Sequence, residues 1–202
     1  MTTLALAPGH AVTTPMAPAL TSEPPRTTPS EQPAPDVRTA YRDAMSTLAG
    51  GVCVITTDDG DTPTGLTVTT GFSVSMDPPI FGVCVDNASR TLPALLARGA
   101  FVANVLGGDA AHVASSFASR APDKFVAASG PIIRGTTASG LPWLPQDSLR
   151  GVECEITQTI TAGDHTIILA TVRQVHASQG DCAHSLGYLA RAFHPLALAP
   201  TV

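Results

Sequence analysis

Short runs rich in Val, Ile and Thr recur along the chain from about residue 50 onward, separated by polar or glycine-containing turns. Runs of this length and composition predict β-strands, because branched side chains pack well on a pleated sheet. Two pairs of runs flank tight turns, at Asp58-Asp59-Gly60-Asp61 and Ala162-Gly163-Asp164, and therefore predict hairpins. The strands predicted in this way span residues 52–57, 64–70, 80–85, 100–106, 152–161 and 165–176.

Helical spacing of apolar side chains is confined to short segments. From Asp36, a candidate N-cap, apolar residues recur every three or four positions as far as Leu48, and Gly50-Gly51 is expected to end this helix. Two shorter helices are predicted, one over residues 91–98 and one running from a capping Asp109 to about residue 119. Strands therefore outnumber helices and do not alternate with them, which favours a β-barrel with helical decoration.

Three regions carry weaker signals. Residues 126–150 are predicted to be irregular, although Ile132-Ile133 has the composition of a short strand, and the apolar segment 185–196 fits either a helix or a strand. Residues 1–35 contain repeated prolines and few large apolar side chains, which predicts a disordered tail. The ordered domain is accordingly expected over residues 36–198.

Composition narrows the classes of function. The chain has 202 residues and a net charge of −5, so nothing in it attracts nucleic acid or an anionic membrane. No apolar run suggests a transmembrane helix and no signal-peptide pattern begins the chain, which favours a cytoplasmic protein. The four cysteines are widely spaced and lack zinc-ligand spacing, so we expect reduced structural thiols and no metal site.

Five motifs follow one another in a recognisable order. The longest runs from Gly65 to Pro79 and reads Gly-Leu-Thr-Val-Thr-Thr-Gly-Phe-Ser-Val-Ser-Met-Asp-Pro-Pro. The others are Asn87-Ala88-Ser89-Arg90-Thr91, Asp123-Lys124-Phe125, Gly163-Asp164-His165 and Phe193-His194. In this order they resemble the short flavin reductase family, the reductase components of two-component flavin monooxygenases.

The resemblance implies a fold, an activity and partners. The implied fold is mainly β with short helices, an FMN-binding split β-barrel. The implied activity is hydride transfer from NADH or NADPH to FMN or FAD, with reduced flavin passed to a partner flavin-dependent monooxygenase. Members of this family usually form homodimers. No Gly-x-Gly-x-x-Gly turn follows a strand, so a Rossmann site is not expected for the nicotinamide.

The hydroxyl-rich stretch of the first motif is expected to line the flavin ring and its ribityl chain. Without the resemblance, the same residues would be interpreted as a Thr-rich strand and turn. The candidate cofactor-binding residues here are Thr67, Val68, Thr69, Thr70, Ser73, Val74 and Ser75.

The flavin phosphate is expected at the turn before the second predicted helix, where free N–H groups and the helix dipole favour an anion. Arg90 can add a charge-assisted contact to it. Helix capping by Ser89 or Thr91, and a solvated surface position for Lys124, are the alternatives. The candidate residues are Asn87, Ser89, Arg90, Thr91 and Lys124.

Two histidines complete the candidate site. By resemblance, His165 approaches the nicotinamide and the flavin as the catalytic residue, orienting the substrate or assisting protonation of reduced flavin. His194 has a weaker case as a cofactor-binding residue. A histidine at a hairpin turn is otherwise most often a surface residue.

The chain departs from the family pattern at two places. Gly71-Phe72 replaces a bulky residue followed by Thr, and the C-terminal motif carries the single Arg191 where the family often has two arginines. Two alternatives to a reductase therefore stay open. One is a split barrel repurposed for a non-reductase step such as cyclisation or isomerisation, and the other is a non-catalytic flavin-binding module.

Overall fold

The computed structural model describes residues 35–127 and 130–198, so the predicted tail lies outside it except for Pro35. The described helices are α1 (Pro35–Ser46), α2 (Leu92–Arg98) and α3 (Ala111–Ala118). The described strands are β1 (Gly50–Gly51), β2 (Cys53–Asp58), β3 (Pro63–Val68), β4 (Phe72–Met76), β5 (Pro79–Asp86), β6 (Ala100–Leu106), β7 (Val126–Ala127), β8 (Gly130–Pro131), β9 (Gly135–Thr136), β10 (Pro142–Trp143), β11 (Ser148–Ala162), β12 (His165–Ala177), β13 (His184–Leu189) and β14 (Ala192–Ala197).

The main sheet has seven antiparallel strands in the order β3-β2-β6-β11-β12-β5-β4. Its two edge strands, β3 and β4, follow each other in the chain with only Thr69, Thr70 and Gly71 between them. Such a short connection requires the two edges to approach each other, so the sheet curls without closing. Val68 of β3 accordingly packs in the same core as Val83 of β5. The predicted mainly β, split-barrel fold is confirmed.

Both faces of β2 are buried, which explains why its sequence is a continuous apolar run rather than an alternating one. Cys53 and Ile55 point into the core that the curled sheet encloses. Val52 and Val54, of opposite parity, pack beneath α3 in a second core. The helix α2 contributes Leu92 and Leu95 to the first of these two cores.

Several local predictions differ from the structure. The first helix ends at Ser46 instead of Leu48, and Gly50-Gly51 forms β1 against β13 rather than a helix cap. Asp109 does not cap α3, whose N-cap position is Ala110 without a side-chain hydrogen bond. These predictions were wrong because glycine or aspartate near a helix end matches the usual capping preference even where the chain passes directly into another element.

The weakly patterned regions form paired strands. Residues 126–150 contain two short pairs, β7 with β8 and β9 with β10. The strand β8 ends at Pro131 and Ile132-Ile133 lie in no strand, so the short strand predicted there is wrong. The segment 185–196 is a hairpin, β13 with β14. None of the helices within residues 35–127 and 130–198 is both long and apolar enough to span a bilayer.

Candidate functional site

A cleft of about 700 Å³ lies where the end of β5 and the following turn meet β3 and the C-terminal end of α3. We call it the Arg90 cleft. Its volume falls within the range of small-molecule sites, roughly 300–1,000 Å³. Its lining residues are Leu66, Thr67, Asp86, Ala88, Ser89, Arg90, Phe117, Ala118, Ser119, Arg120 and Lys124.

Main-chain carbonyl groups hold both Arg90 and Lys124 in the cleft wall. The Arg90 guanidinium donates from Nη2 to the carbonyl oxygens of Arg120 and Ala121, at 2.9 and 3.3 Å. Lys124 Nζ donates to the carbonyl oxygens of Gly65 and Phe117, each at 3.0 Å. Lys124 is therefore half-buried and fixed, and the alternative of a solvated surface lysine is wrong.

The cations of the cleft lack carboxylate partners. Among the described residues, no ion pair includes Arg90, Arg120 or Lys124. The pKa of Lys124 lies below its ordinary value, because burial strips water from the ammonium group and Arg90 adds a like charge. Carbonyl oxygens orient these groups without neutralising them, so the cleft carries a net positive charge that an anion would relieve.

Thr67 of β3 and Ser89 of the turn after β5 both line the cleft. Thr67 Oγ1 donates to the Ala114 carbonyl of α3 at 2.6 Å, which leaves its lone pairs free to accept from a ligand. Ser89 Oγ accepts from the backbone N–H of Thr91 at 3.3 Å, which leaves its proton free to be donated. The structure therefore brings the two predicted stretches together in one cleft.

Thr91 is an internal structural residue rather than a helix cap or an exposed ligand group. Its side chain is 1% exposed, and its Oγ1 donates to the Gly65 carbonyl at 3.0 Å. It stands at the N-cap position of α2 but makes no side-chain capping bond. Capping by Thr91, one of the sequence-based alternatives, is therefore wrong.

The turn after β5 is tied to the hairpin that carries His165. Asn87 receives a hydrogen bond from Thr166 Oγ1 at 2.7 Å on its Oδ1, and its backbone N–H donates to the Asp164 carbonyl at 2.9 Å. His165 pairs directly with Asp86, a lining residue of the cleft. Directly opposed residues in antiparallel strands share one face, so His165 lies beside the cleft and next to Asp86.

Asp164 orients the His165 ring. Its Oδ1 lies 2.7 Å from His165 Nδ1, and the hydrogen bond from His165 lowers the pKa of this carboxyl group. With a proton on Nδ1 donated to Asp164, Nε2 is the ring atom left for a ligand. The ring itself is partly exposed, at 42% of its side-chain surface.

The remaining predicted residues lie outside the lining of the cleft. Val68 is buried in the barrel core, and Thr70 Oγ1 donates to the Cys84 carbonyl at 2.8 Å, which fixes the turn between the sheet edges. His194 lies on β14, with Nε2 3.2 Å from the Leu189 carbonyl oxygen. The others are Thr69 in the turn and Ser73, Val74 and Ser75 on the edge strand β4.

Seven residues of the cleft lining were not among the sequence candidates: Leu66, Asp86, Ala88, Phe117, Ala118, Ser119 and Arg120. Leu66, which is only partly buried, supplies apolar wall, while Asp86 and Arg120 supply charge. Arg120 carried a usable signal, because it lies three residues before the motif that contains Lys124. Phe117 borders the cleft but is 0% exposed and packs in the second core, as an apolar residue on a short helix is predicted to do.

The geometry defines a class of protein: an open β-barrel whose cationic cleft is lined by hydroxyl and apolar groups and flanked by an oriented histidine. Residues 45–197 match the model of the flavin reductase like domain. This chain belongs to the flavin reductase-like family, as the order of its motifs predicted.

Two curated relatives indicate the range of proteins that share this sequence pattern. A flavin reductase (NADH) from Kitasatospora aureofaciens is 38% identical over 130 residues, which cover 63% of this chain and 66% of that protein, just under two thirds of its length. The actinorhodin polyketide dimerase of Streptomyces coelicolor is 37% identical over 139 residues, which cover 68% of this chain and 76% of that protein.

Solved structures agree with these sequence relatives. The flavin reductase component of a bacterial two-component tryptophan halogenase matches with a TM-score of 0.70 at 30% identity, covering 80% of this chain and 99% of that one. An NADH:FAD oxidoreductase from Streptomyces globisporus, solved with NAD and FAD fragments, has a TM-score of 0.71 at 26% identity, covering 83% and 96%.

Proposed function

We propose that this chain is an NAD(P)H:flavin oxidoreductase, which binds FMN or FAD in the Arg90 cleft. The observation that carries the proposal is a pair of fixed cations, Arg90 and Lys124, with no carboxylate partner among the described residues, in a cleft of about 700 Å³. The named activities of the relatives, flavin reductase (NADH) and NADH:FAD oxidoreductase, support the same conclusion.

The described residues fit a flavin. Arg90, Lys124 and the Ser89 hydroxyl are positioned to hold a phosphate group. Leu66, which is only partly buried, offers apolar surface for the ring system. We further propose that the predicted residues of the turn and of β4, from Thr69 to Ser75, contribute main-chain groups to the ring edge, for which their place beside β5 is the supporting observation.

A bound flavin supplies the hydride acceptor, and the nicotinamide supplies the hydride, so no protein nucleophile is needed. The chain's task is to hold the two rings together and to exclude water. We propose that His165 Nε2 contacts the nicotinamide or moves a proton at the reduced ring, while Asp164 holds the imidazole in place through Nδ1.

The direct test is an assay on the purified full chain. Loss of NADH or NADPH absorbance should depend on added FMN or FAD, and binding of each flavin should be detectable by quenching of its fluorescence. A protein that binds neither flavin and leaves NADH and NADPH unchanged would overturn the proposal.

We propose that the working form is a homodimer of the domain that spans residues 36–198. The α1 helix exposes an apolar face that includes Val37, Tyr41 and Met45, and Tyr41 is 65% exposed. The edge strand β4 adds exposed Phe72 and Met76, the latter 83% exposed. Exposed large apolar side chains grouped on one helix face are typical of an interface.

We also propose that reduced flavin leaves the cleft for a flavin-dependent monooxygenase in the cytoplasm. The support for a partner enzyme is the relative that serves a two-component halogenase. The support for the compartment is the free state of all four cysteines, because disulfides are rare in the cytosol. Co-purification with an oxygenase and cell fractionation are the corresponding measurements.

A second candidate is a non-reductase biosynthetic step such as cyclisation or isomerisation, which the polyketide dimerase among the relatives supports. The two candidates differ in one measurable respect. A reductase consumes NADH in proportion to added flavin, whereas the second candidate would bind flavin or another small molecule without consuming NADH.

A further inference from the structure

Two further cavities continue the Arg90 cleft along the β2–β3 hairpin. Arg90 and Lys124 line both the cleft and a small cavity of about 100 Å³. Pro63 lines this small cavity and also a third one of about 370 Å³. The shared residues show that the three cavities adjoin one another in this order.

The small cavity has the size of a phosphate group rather than of a ring. Its volume of about 100 Å³ is about one seventh of the volume of the Arg90 cleft. It lies between two cations, Arg90 and Lys124, and the Thr64 hydroxyl also lines it. A diphosphate could thus pass from the cleft into this space and keep both of its charges beside cationic groups.

The third cavity has the chemistry of a nucleoside site. Arg134 and Arg98 lie on its wall, and each presents a planar guanidinium group on which a purine can stack. Arg134 already stacks on an aromatic ring, with its Cζ 5.6 Å from the Phe125 centroid. Asp58 and Asp61 supply carboxylate oxygens, which are acceptors for ribose hydroxyl groups or an exocyclic amine.

The walls of this cavity are held in place by the fold. Arg98 Nε lies 3.5 Å from Asp58 Oδ1, and its Nη2 donates to the Ser139 carbonyl at 3.0 Å. Asp59 Oδ1 accepts from the backbone N–H of Thr62 at 2.8 Å, which fixes the turn that carries Asp61. Neither Arg134 nor Asp61 takes part in a described ion pair. The stacking on Phe125 holds Arg134 in place, and the Asp61 carboxylate is left for a ligand.

We propose that the third cavity is an adenylate subsite, so that this chain binds FAD in an extended form and prefers it to FMN. The proposal rests on the proposed function, because it takes the Arg90 cleft as the flavin site. The diphosphate lies between Arg90 and Lys124, and the adenosine lies between Arg134 and Asp61. FMN lacks the adenylate half and gains nothing from this cavity.

The test measures equilibrium binding of FMN and FAD by fluorescence quenching, together with their reduction by NADH. Arg134→Ala and Asp61→Asn should each weaken FAD binding ~5- to 20-fold, the equivalent of one lost polar or stacking contact. FMN binding should change by less than about 2-fold, which corresponds to under one such contact. Arg150→Ala, an exposed arginine on β11, is the matched control and should alter neither flavin.

Free adenosine supplies a probe that needs no variant. It should raise the apparent Kd of FAD and leave that of FMN unchanged. Equal affinities for the two flavins in all variants, or equal displacement of both by adenosine, would overturn the adenylate subsite alone. Absence of any flavin reduction would overturn the reductase function, while a selective loss of FAD binding would still support the subsite.

Discussion

At the scale of single residues, the cleft presents cationic side chains that hydrogen bonds to the protein itself already hold in place. Arg90 and Lys124 each donate to two main-chain carbonyl oxygens. These bonds fix the position of each charge and leave the charge itself uncompensated. A ligand phosphate therefore meets preorganised cations, and little side-chain entropy is lost when it binds.

Replacing Arg90 should separate phosphate recognition from ring recognition. Arg90→Ala should weaken FMN binding ~10- to 100-fold, because one charge-assisted contact is lost. Riboflavin has no phosphate and should lose little affinity. Arg150→Ala controls for the loss of a surface arginine. Because Arg90 also supports the chain at Arg120 and Ala121, equal losses for FMN and riboflavin would mean that its role is only structural.

Replacing His165 should affect turnover more than binding. His165→Ala should lower kcat of NADH-dependent flavin reduction by ~10²-fold, at the lower end of acid–base contributions. The Kd of FMN should hardly change, because the phosphate contacts remain. His184→Ala, an exposed histidine on β13, is the control. Unchanged turnover in the His165 variant would remove it from the reaction.

Thr67, Ser89 and Lys124, three residues that the motifs singled out, line one cleft, whereas Thr91 has a structural role and His194 lies outside the cleft lining. The motifs therefore named candidate chemical groups without fixing where each of them lies. A hydroxyl group serves a ligand or the protein's own carbonyls according to which strand lies opposite. That pairing is a property of the tertiary structure, which local motifs do not encode.

At the scale of elements, the cleft depends on how closely α3 approaches β3. Gly65 makes this approach possible, because a Cβ atom there would lie 2.7 Å from the Ile55 carbonyl oxygen and 2.8 Å from a Phe117 ring carbon. The Gly65 carbonyl also accepts from both Thr91 and Lys124. One glycine thus positions the helix, the strand and the lysine of the cleft.

Gly65→Ala should therefore destabilise the protein and disturb the cleft together. We expect a loss of ~1–3 kcal/mol in the free energy of unfolding, typical of overpacking, measured by denaturant titration. The control is Gly51→Ala, because no atom lies within 4 Å of the Cβ that it would add. Comparable stability of the two variants would show that α3 can shift without cost.

A buried carboxylate on β11 should make the stability of the barrel sensitive to acid. Burial raises the pKa of Glu153, but hydrogen bonds from Ser139 and His176 and the charge of His176 outweigh it, so the net pKa lies below the ordinary value of 4.5. A carboxyl group with a lowered pKa stabilises the fold above its unfolded pKa. That contribution is lost as the pH falls through the folded pKa.

Glu153→Gln should accordingly flatten the fall in stability below about pH 4.5. The measurement is the free energy of unfolding at pH 6, 5, 4 and 3 for both proteins. The control is Glu155→Gln, which removes an exposed pair with Arg173 of the kind that contributes little. Parallel pH profiles for the parent and the Glu153 variant would contradict the expectation.

Elements were predictable from the sequence where a strong turn separates two patterned runs. The hairpin of β11 and β12 satisfies this condition, and its turn at Gly163 has the positive φ of 62° that favours glycine. The hairpin of β13 and β14 turns at Ala190 and Arg191, both with positive φ and neither with the composition of a turn. Local composition therefore left that segment undecided between a helix and a strand.

At the scale of the whole molecule, the curl of the open sheet follows from chain connectivity rather than from any local pattern. The edge strands β3 and β4 are consecutive in the chain, so the sheet must bring its first and last strands near each other. That curl carries the turn after β5 and the strand β3 to the same cleft. The order of the motifs predicted this proximity only through the family resemblance.

Also at the scale of the whole molecule, the way α1 attaches to the domain leaves its apolar face uncovered within one chain. The helix is fastened to the rest of the domain by its polar side, where Asp43 receives a hydrogen bond from Arg191 and the Ser46 carbonyl accepts from the Ala190 N–H. This anchoring leaves Val37, Tyr41 and Met45 exposed. A second copy of the chain would bury that face, which motivates the proposed homodimer.

Sedimentation velocity of the parent should accordingly show a dimer. Tyr41→Asp places a charge in the centre of the apolar face and should raise the dimer dissociation constant by ~10-fold or more, because burial of an unpaired charge is costly. Arg42→Asp also introduces an aspartate on α1, but about 100° around the helix from Tyr41, so it should weaken the dimer less. A parent that sediments as a monomer at micromolar concentration would exclude the dimer, and equal dimerisation of both variants would place the interface elsewhere, with β4 as the next surface to test.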